Sequence, residues 1–343
     1  MTLKEVLDNI KAHLTGDPSK DGPYMKEQVE KYKDEPFSEE LKREMAEILV
    51  EITEKEYKGT LDAFLAQENK KVDEKLQNVE RRFNNRNFNG GIKILEEIIR
   101  NNALAWIDTN KYTYKCFGTP LEYLLFNTLF QKETREVRSI NCDLSKVYRF
   151  YCHGLYKKGK LNEAQRAINN AVELNPCDPE NYIQMGELAK LRHDNSALKE
   201  SARMLLKTAV SKKQVGQAYF SYSYYYSEKM QYDKALALLQ MSRIFRDSPL
   251  YESELRYIMD KTGVTVPKFY SKEELMDILL SESIQPGPSA AVVAVANEVA
   301  KKLEDDSEYA YAKYFYAIIY ELIENEYAKH KMDELDKLIK KNK

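Results

Sequence analysis

What most constrains this chain is that part of it repeats. Three segments, beginning at Ser145, Pro179 and Gly216, carry the same order of large and small side chains. Each has tyrosine at its fourth place (Tyr148, Tyr182, Tyr219), a large residue at its seventh (Tyr151, Met185, Tyr222) and a small one at its eighth (Cys152, Gly186, Ser223). The eleventh place holds Leu155, Ala189 and Tyr226. An alanine follows in each copy (Ala164, Ala202, Ala235), then a bulky aliphatic four residues on (Ile168, Leu206, Leu239) and a small residue three further (Ala171, Ala209, Ser242). Antiparallel helices approach to about 8–10 Å only where small side chains meet at the crossing. The pattern therefore marks helical hairpins, each too small to bury its own apolar face, that complete a core by stacking.

Helical spacing of apolar residues extends over most of the remaining chain, and period-two alternation is scarce. Helix starts are marked by Thr119-Pro120-Leu121-Glu122, by Asp178-Pro179 and by Ser271 with Glu274, where a capping side chain precedes a first-turn proline or glutamate. Breaks are expected at Thr15–Pro23, around Asn89-Gly90-Gly91, at Pro249, at Gly263–Pro267 and at Pro286-Gly287-Pro288. The β-prone run Lys111–Phe117 is expected to form a short hairpin or an aromatic loop. Phe83–Arg100 reads as the turn and second helix of a degenerate unit, with Gly91, Leu95 and Ile98 in its small, large and third core places. The expected organisation is an N-terminal helical segment (1–60), degenerate helical repeats with an aromatic loop near 106–120 (61–144), the repeat units (145–249), and C-terminal helices with a capping helix (250–343). The reading is all-α: a right-handed superhelical array of antiparallel hairpins.

The segment Ser145–Pro249, and Leu155–Pro176 above all, resembles the tetratricopeptide repeat, a helix–turn–helix unit of 34 residues. The tyrosines are spaced 34 and 37 residues apart and the alanines 38 and 33. This places about four extra residues between the helices of the second unit, around His193–Glu200. The resemblance implies a concave groove lined by the first helix of each unit, which would hold an extended or helical peptide. Its groove-facing places fall on Arg149, His153 and Tyr156, on Gln184 and Glu187, and on Phe220 and Tyr224. The chaperone-tail binders of the family grip a carboxylate with lysine and asparagine, where this chain has Arg149 and His153, and no second basic residue follows at the later groove places read from the resemblance. An aromatic, hydrogen-bonding groove is the expectation instead, with Arg149 and His153 as donors, Gln184 and Glu187 orienting the ligand, and Phe220 and Tyr224 stacking on it.

Charge and motif set several classes aside. Lys+Arg 53 against Asp+Glu 55 gives no bulk attraction for nucleic acid or anionic lipid. No apolar run is long enough for a membrane span, and the N-terminal stretch lacks a signal peptide's apolar centre. The cysteines Cys116, Cys142, Cys152 and Cys177 form neither a CxxC pair nor a dense disulfide framework, so reduced thiols in a cytoplasmic protein are expected. His13, His153, His193 and His330 are scattered, which gives no metal-ligand spacing. Gly90-Gly91 lacks a phosphate-binding context, so no cofactor is expected. Tyr219, Tyr222 and Tyr226 read as repeat core, as do Tyr311, Tyr314 and Phe315 in a terminal helix, whereas Tyr224 faces the groove. Lys337, Lys340, Lys341 and Lys343 read as a helix-end and solubility feature. The sequence thus points to a non-catalytic interaction or scaffold protein. Two alternatives stand beside it: an enzyme or small-ligand protein with its site in the flanks, near Tyr112–Glu122 or the tyrosine-rich helix, and a sensor of a signalling peptide.

Overall fold

The structure, a computed structural model, describes residues 2–56, 61–102, 107–130, 133–140 and 142–341. Among them are seventeen helices and one pair of short strands. In chain order these are α1 (Leu3–Ala12), α2 (Pro18–Lys31), α3 (Ser38–Glu56), α4 (Leu61–Asn84), α5 (Phe88–Asn101), β1 (Tyr112–Lys115), α6 (Pro120–Leu129), β2 (Glu136–Ser139), α7 (Leu144–Lys157), α8 (Leu161–Leu174), α9 (Pro179–Arg192) and α10 (Asn195–Thr208). There follow α11 (Lys212–Glu228), α12 (Tyr232–Phe245), α13 (Pro249–Thr262), α14 (Lys272–Ser281), α15 (Ala290–Asp305), α16 (Tyr309–Ile323) and α17 (Glu326–Lys341). The fold is all-α, built of hairpins packed consecutively. The chain divides into two compact units, one of Met1–Gly118 with Lys132–Asn175, the other of Thr119–Gln131 with Pro176–Lys343. The division falls inside the stretch that the repeat pattern treats as one array.

In the first unit, α1, α2 and α3 enclose Val6, Ile10, Met25, Leu41 and Met45. The buried Asp21 carboxylate accepts from the Thr15 and Gly16 amides and the Thr15 hydroxyl, at 2.7–3.1 Å. That anchor fixes the turn at residues 13–17, and α2 begins at Pro18 with Pro23 inside it, so the break expected across Thr15–Pro23 is shorter than the sequence suggested. The hairpin α4–α5 packs on α7, with Gly91, Leu95 and Ile98 buried. The Asn89-Gly90-Gly91 break is corrected by it, because these residues form the first turn of α5. A Cβ on Gly91 would lie 2.3 Å from the Phe83 ring, so this glycine permits close packing rather than ending a helix.

The strand β1 pairs with β2 in parallel, Tyr112 opposite Glu136 and Lys115 opposite Ser139. A hairpin is thereby corrected: the connection runs through α6, which packs on α15 in the other unit's core, and parallel strands need such a crossover. Of the expected aromatic loop, residue 106 lies outside the described residues, as does Lys343 of the terminal lysine cluster.

The three repeat hairpins share one turn. Gly159, His193 and Met230 adopt left-handed backbone, with φ of 75°, 54° and 57°. The next amide then bonds back to the eleventh-place carbonyl, Lys160 to Leu155, Asp194 to Ala189 and Gln231 to Tyr226, at 2.9–3.0 Å. This six-to-one bond closes each first helix as a Schellman turn. Arg86, with Asn87 bonded to Arg82, repeats it between α4 and α5. The four extra residues expected around His193–Glu200 do not exist as a loop, since α9 and α10 are separated only by His193 and Asp194. The second unit instead places Leu198, not Ala202, where Ala164 and Ala235 stand. Ser223 lies against Ala235, its hydroxyl donating to that carbonyl at 2.8 Å, and Gly186 lies against Leu198 and Ser201. A glycine facing a leucine keeps the crossing close with the volumes exchanged. The true spacing is therefore 34 and 37 throughout, and the three added residues lengthen the start of α11.

In the second unit, α11 carries the densest core, with Tyr219, Tyr222 and Tyr226 buried as expected. The Tyr219 hydroxyl donates to the Gln285 carbonyl at 2.8 Å and accepts from the Gly287 amide at 2.6 Å, so it pins the Pro286-Gly287-Pro288 loop. Tyr311 and Tyr314 are corrected: they are 64% and 53% exposed. The buried stripe of α16 runs through Ala312, Phe315, Tyr316, Ile319 and Leu322, and the two tyrosines fall outside its helical register. The closing helix α17 packs on α16 through Ala328 and Leu335.

Two stability predictions follow from these turns and crossings. Met230 is 78% exposed at left-handed φ, so Met230→Gly should stabilise by about 0.5–1 kcal/mol in denaturant titration. A Cβ on Gly216 would lie 2.5 Å from Arg246 Cβ and 3.1 Å from the Ser242 carbonyl oxygen. Gly216→Ala should cost about 1–3 kcal/mol, whereas Gly22→Ala, whose Cβ meets nothing nearer than Leu49 at 3.7 Å, should be neutral or stabilising. Equal effects of the two alanines would refute the packing role given to Gly216.

Candidate functional site

The capping residues Asp143, Asp178 and Ser211 start α7, α9 and α11, and the common register then fixes which side chains each helix presents. The fifth, ninth and twelfth places are Arg149, His153 and Tyr156 in α7, Ile183, Glu187 and Lys190 in α9, and Phe220, Tyr224 and Ser227 in α11. The sequence pattern identifies six of these, has Gln184 in place of Ile183, and passes over Lys190 and Ser227. The signal was present, because both occupy the twelfth place held by Tyr156. Gln184 stands one place off this register, half-buried, with its amide nitrogen buried and bonded to nothing among the described residues.

The expected site residues fall into different units, Arg149, His153 and Tyr156 in the first and Gln184, Glu187, Phe220 and Tyr224 in the second. In the first unit, His153 is packed rather than offered as a free donor. Its ring lies 5.7 Å from Phe83, 6.4 Å from Phe88 and 5.0 Å from Tyr156, whose hydroxyl is 3.2 Å from Nδ1. Arg149 is half-buried.

The second unit brings its groove places together. The α9 ammonium of Lys190 lies 5.2 Å from the centroid of Phe220 and 5.3 Å from that of Tyr224, both on α11. It also pairs with Glu187 at 3.0 Å. Two aromatic rings flanking one cation is a favourable quadrupole arrangement. From α13, which packs on α11, Glu254 accepts from the Ser227 hydroxyl at 2.8 Å. Burial pushes the Glu254 carboxyl up, against the Ser227 hydrogen bond and the nearby Lys190 charge, while Glu228 adds to the rise. The Tyr224 hydroxyl is likewise raised, by burial first and then by Glu228, Glu254, Tyr257 and Glu187. His193 Nδ1 stands 4.0 Å from Glu228. The face thus combines two rings and three carboxylates around one lysine. Glu254 and Tyr257 were invisible to the repeat alignment because α13 begins at Pro249, where the pattern ends.

The flanks that a small-ligand site would occupy hold a cavity of about 340 Å³ beyond the carboxyl ends of β1 and β2, lined by Asp73, Cys116, Phe117, Gly118, Ser139, Ile140 and Asp143. The Cys116 thiol donates to the Cys142 carbonyl at 3.3 Å, and burial pushes its pKa up to about 12. Burial likewise raises Cys152 to about 12 and Cys177 further still, so these thiols are protonated and unreactive at neutral pH. Among the described residues no three metal-ligating side chains cluster, and no helix is long and apolar enough to cross a membrane.

No protein-family profile matches the chain, and no curated protein matches it in sequence. A chain in the crystal structure of the APC/C hetero-tetramer Cut9-Hcn1 is similar at a TM-score of 0.32 and 13% identity, over 90% of this chain. This chain spans 59% of that one's length. The fold assignment rests on the helix contacts described above.

Glu254 gives a test of the site's electrostatics. A carboxyl whose folded pKa is raised binds its proton more tightly when folded, so stability falls as pH rises from the unfolded value through the folded one. Glu254→Gln should therefore raise Tm at pH 7, with the gap to the unmodified protein closing as pH falls toward about 4. Calorimetry at several pH values checks this, and a lower Tm for the variant at pH 7 would show that the Lys190 attraction outweighs burial.

Proposed function

We propose that this protein is a non-catalytic interaction or scaffold protein whose helical hairpins hold a peptide segment or partner helix. The observation that carries the reading is the contact of Lys190 with Phe220 and Tyr224. It sets groove-register side chains of α9 and α11, the first helices of two successive hairpins, beside one another. Tyrosine brings large contact area with few rotors and a polar tip, which suits the half-buried Tyr224 to a binding anchor over the buried Phe220 ring. Glu187, half of whose side-chain surface is open to solvent, supplies an orienting acceptor. Arg149, His153 and Tyr156 form a second candidate patch in the first unit, where the tilted packing of His153 beside Phe83 and Phe88 favours a packing role for that ring. A cytoplasmic setting and protein partners belong to the same reading.

Pull-down from the source lysate tests it with two matched variants of unchanged helicity. Glu187→Ala with Tyr224→Ala should lose a partner that the unmodified protein retains, by about tenfold or more in recovered amount, the order expected when a central interface anchor is removed. Arg149→Ala should reduce it less. Retention of the same proteins by the Glu187/Tyr224 variant would remove the α9–α11 face from the account.

A further inference from the structure

We infer that the α9–α11–α13 face is a receptor for a cationic side chain, a lysine or arginine of a partner segment, and that Lys190 occupies this place in the free protein. The inference rests on the peptide-binding reading above and names the partner's chemistry. The chain supplies its own demonstration of what the place accepts, since an ammonium already lies 5.2 and 5.3 Å from the two ring centroids. Rings hold a cation by their quadrupoles, most strongly where water is partly excluded. Phe220 is buried and the Lys190 side chain is only 14% exposed, so the cation sits in such a setting.

Charge around it is in excess of what one lysine neutralises. Glu187 pairs with Lys190 directly, while Glu254 and Glu228 come from α13 and the end of α11, and all three influence the Tyr224 hydroxyl. No second lysine or arginine on this face pairs with Glu228 or Glu254 among the described contacts; Glu254 has the Ser227 hydroxyl, and Glu228 has His193 at 4.0 Å. An incoming cation would therefore find carboxylates as well as rings. An anionic peptide terminus would meet repulsion here, which sets this face apart from a carboxylate-gripping groove. Lys190 sits on a flexible four-carbon stem, so it can leave the rings without a backbone change.

Fluorescence anisotropy with labelled hexalysine tests this on the full chain. The same peptide with every lysine acetylated is the control, since it keeps the stem and removes the charge. Hexalysine should bind and the acetylated peptide should not. Lys190→Met, which removes the resident cation and keeps the stem's bulk, should tighten hexalysine binding by about tenfold. Glu187→Gln with Glu254→Gln should weaken it by a similar factor. Equal binding of the charged and acetylated peptides, or affinity unmoved by both sets of substitutions, would overturn the assignment. If hexalysine ignores the substitutions while Glu187→Ala with Tyr224→Ala still loses a cellular partner, the cation receptor is wrong and the groove reading survives it.

Discussion

The close crossing of two helices within each hairpin is the constraint on which the rest of the molecule depends. Gly186 with Leu198 and Ser223 with Ala235 are successive versions of one contact, and the buried Cys152 and Ala164 stand at the same two places of the first hairpin; in each pair the summed size stays small enough for the backbones to approach. The same left-handed turn joins the helices every time, at Gly159, His193 and Met230. A hairpin closed this way has its first helix fixed in rotation relative to its second. Stacking α11 on α10 then fixes the rotation of one first helix relative to the next. The contact between Lys190 and the α11 rings is a consequence of that geometry.

Serine hydroxyls tighten the scheme further. Ser145 on α7 donates to the Ala171 carbonyl on α8 at 2.9 Å, and Ser242 on α12 donates to the Gly216 carbonyl on α11 at 2.8 Å. These are the same pair of places, with donor and acceptor helices exchanged. Buried hydroxyls need partners, and here each finds one across the hairpin. The middle hairpin has Pro179 and Leu205 at these places and neither hydroxyl.

The sequence showed the fold because the tyrosines, the small residues and the capping residues are local signals that repeat. It misplaced the second unit because an alanine was sought where the structure uses a leucine opposite Gly186; the pair conserves volume, and a search by residue type sees only half of it. The turns were hard to see for a related reason. Left-handed backbone announces itself when glycine holds it, as at Gly159, but Arg86, His193 and Met230 adopt it because the surrounding bonds over-determine them. Of the site, Glu187, Phe220 and Tyr224 followed from the repeat register. Lys190 followed from the same register but was passed over, and Glu254 comes from a hairpin that carries no repeat pattern. The parallel pairing of β1 with β2 was beyond reach, since it joins two short runs separated in sequence by α6, and the second run, Glu136–Ser139, carries no β-prone pattern of its own.

The central claim is that Lys190 is seated between Phe220 and Tyr224. The proton resonances of its ε-methylene report this directly, because ring currents move protons held over an aromatic face upfield. With Lys190 assigned by comparison with Lys190→Met, the account predicts upfield-shifted ε-methylene signals that relax toward ordinary lysine values in Tyr224→Leu. Ordinary lysine values in the unmodified protein would contradict it.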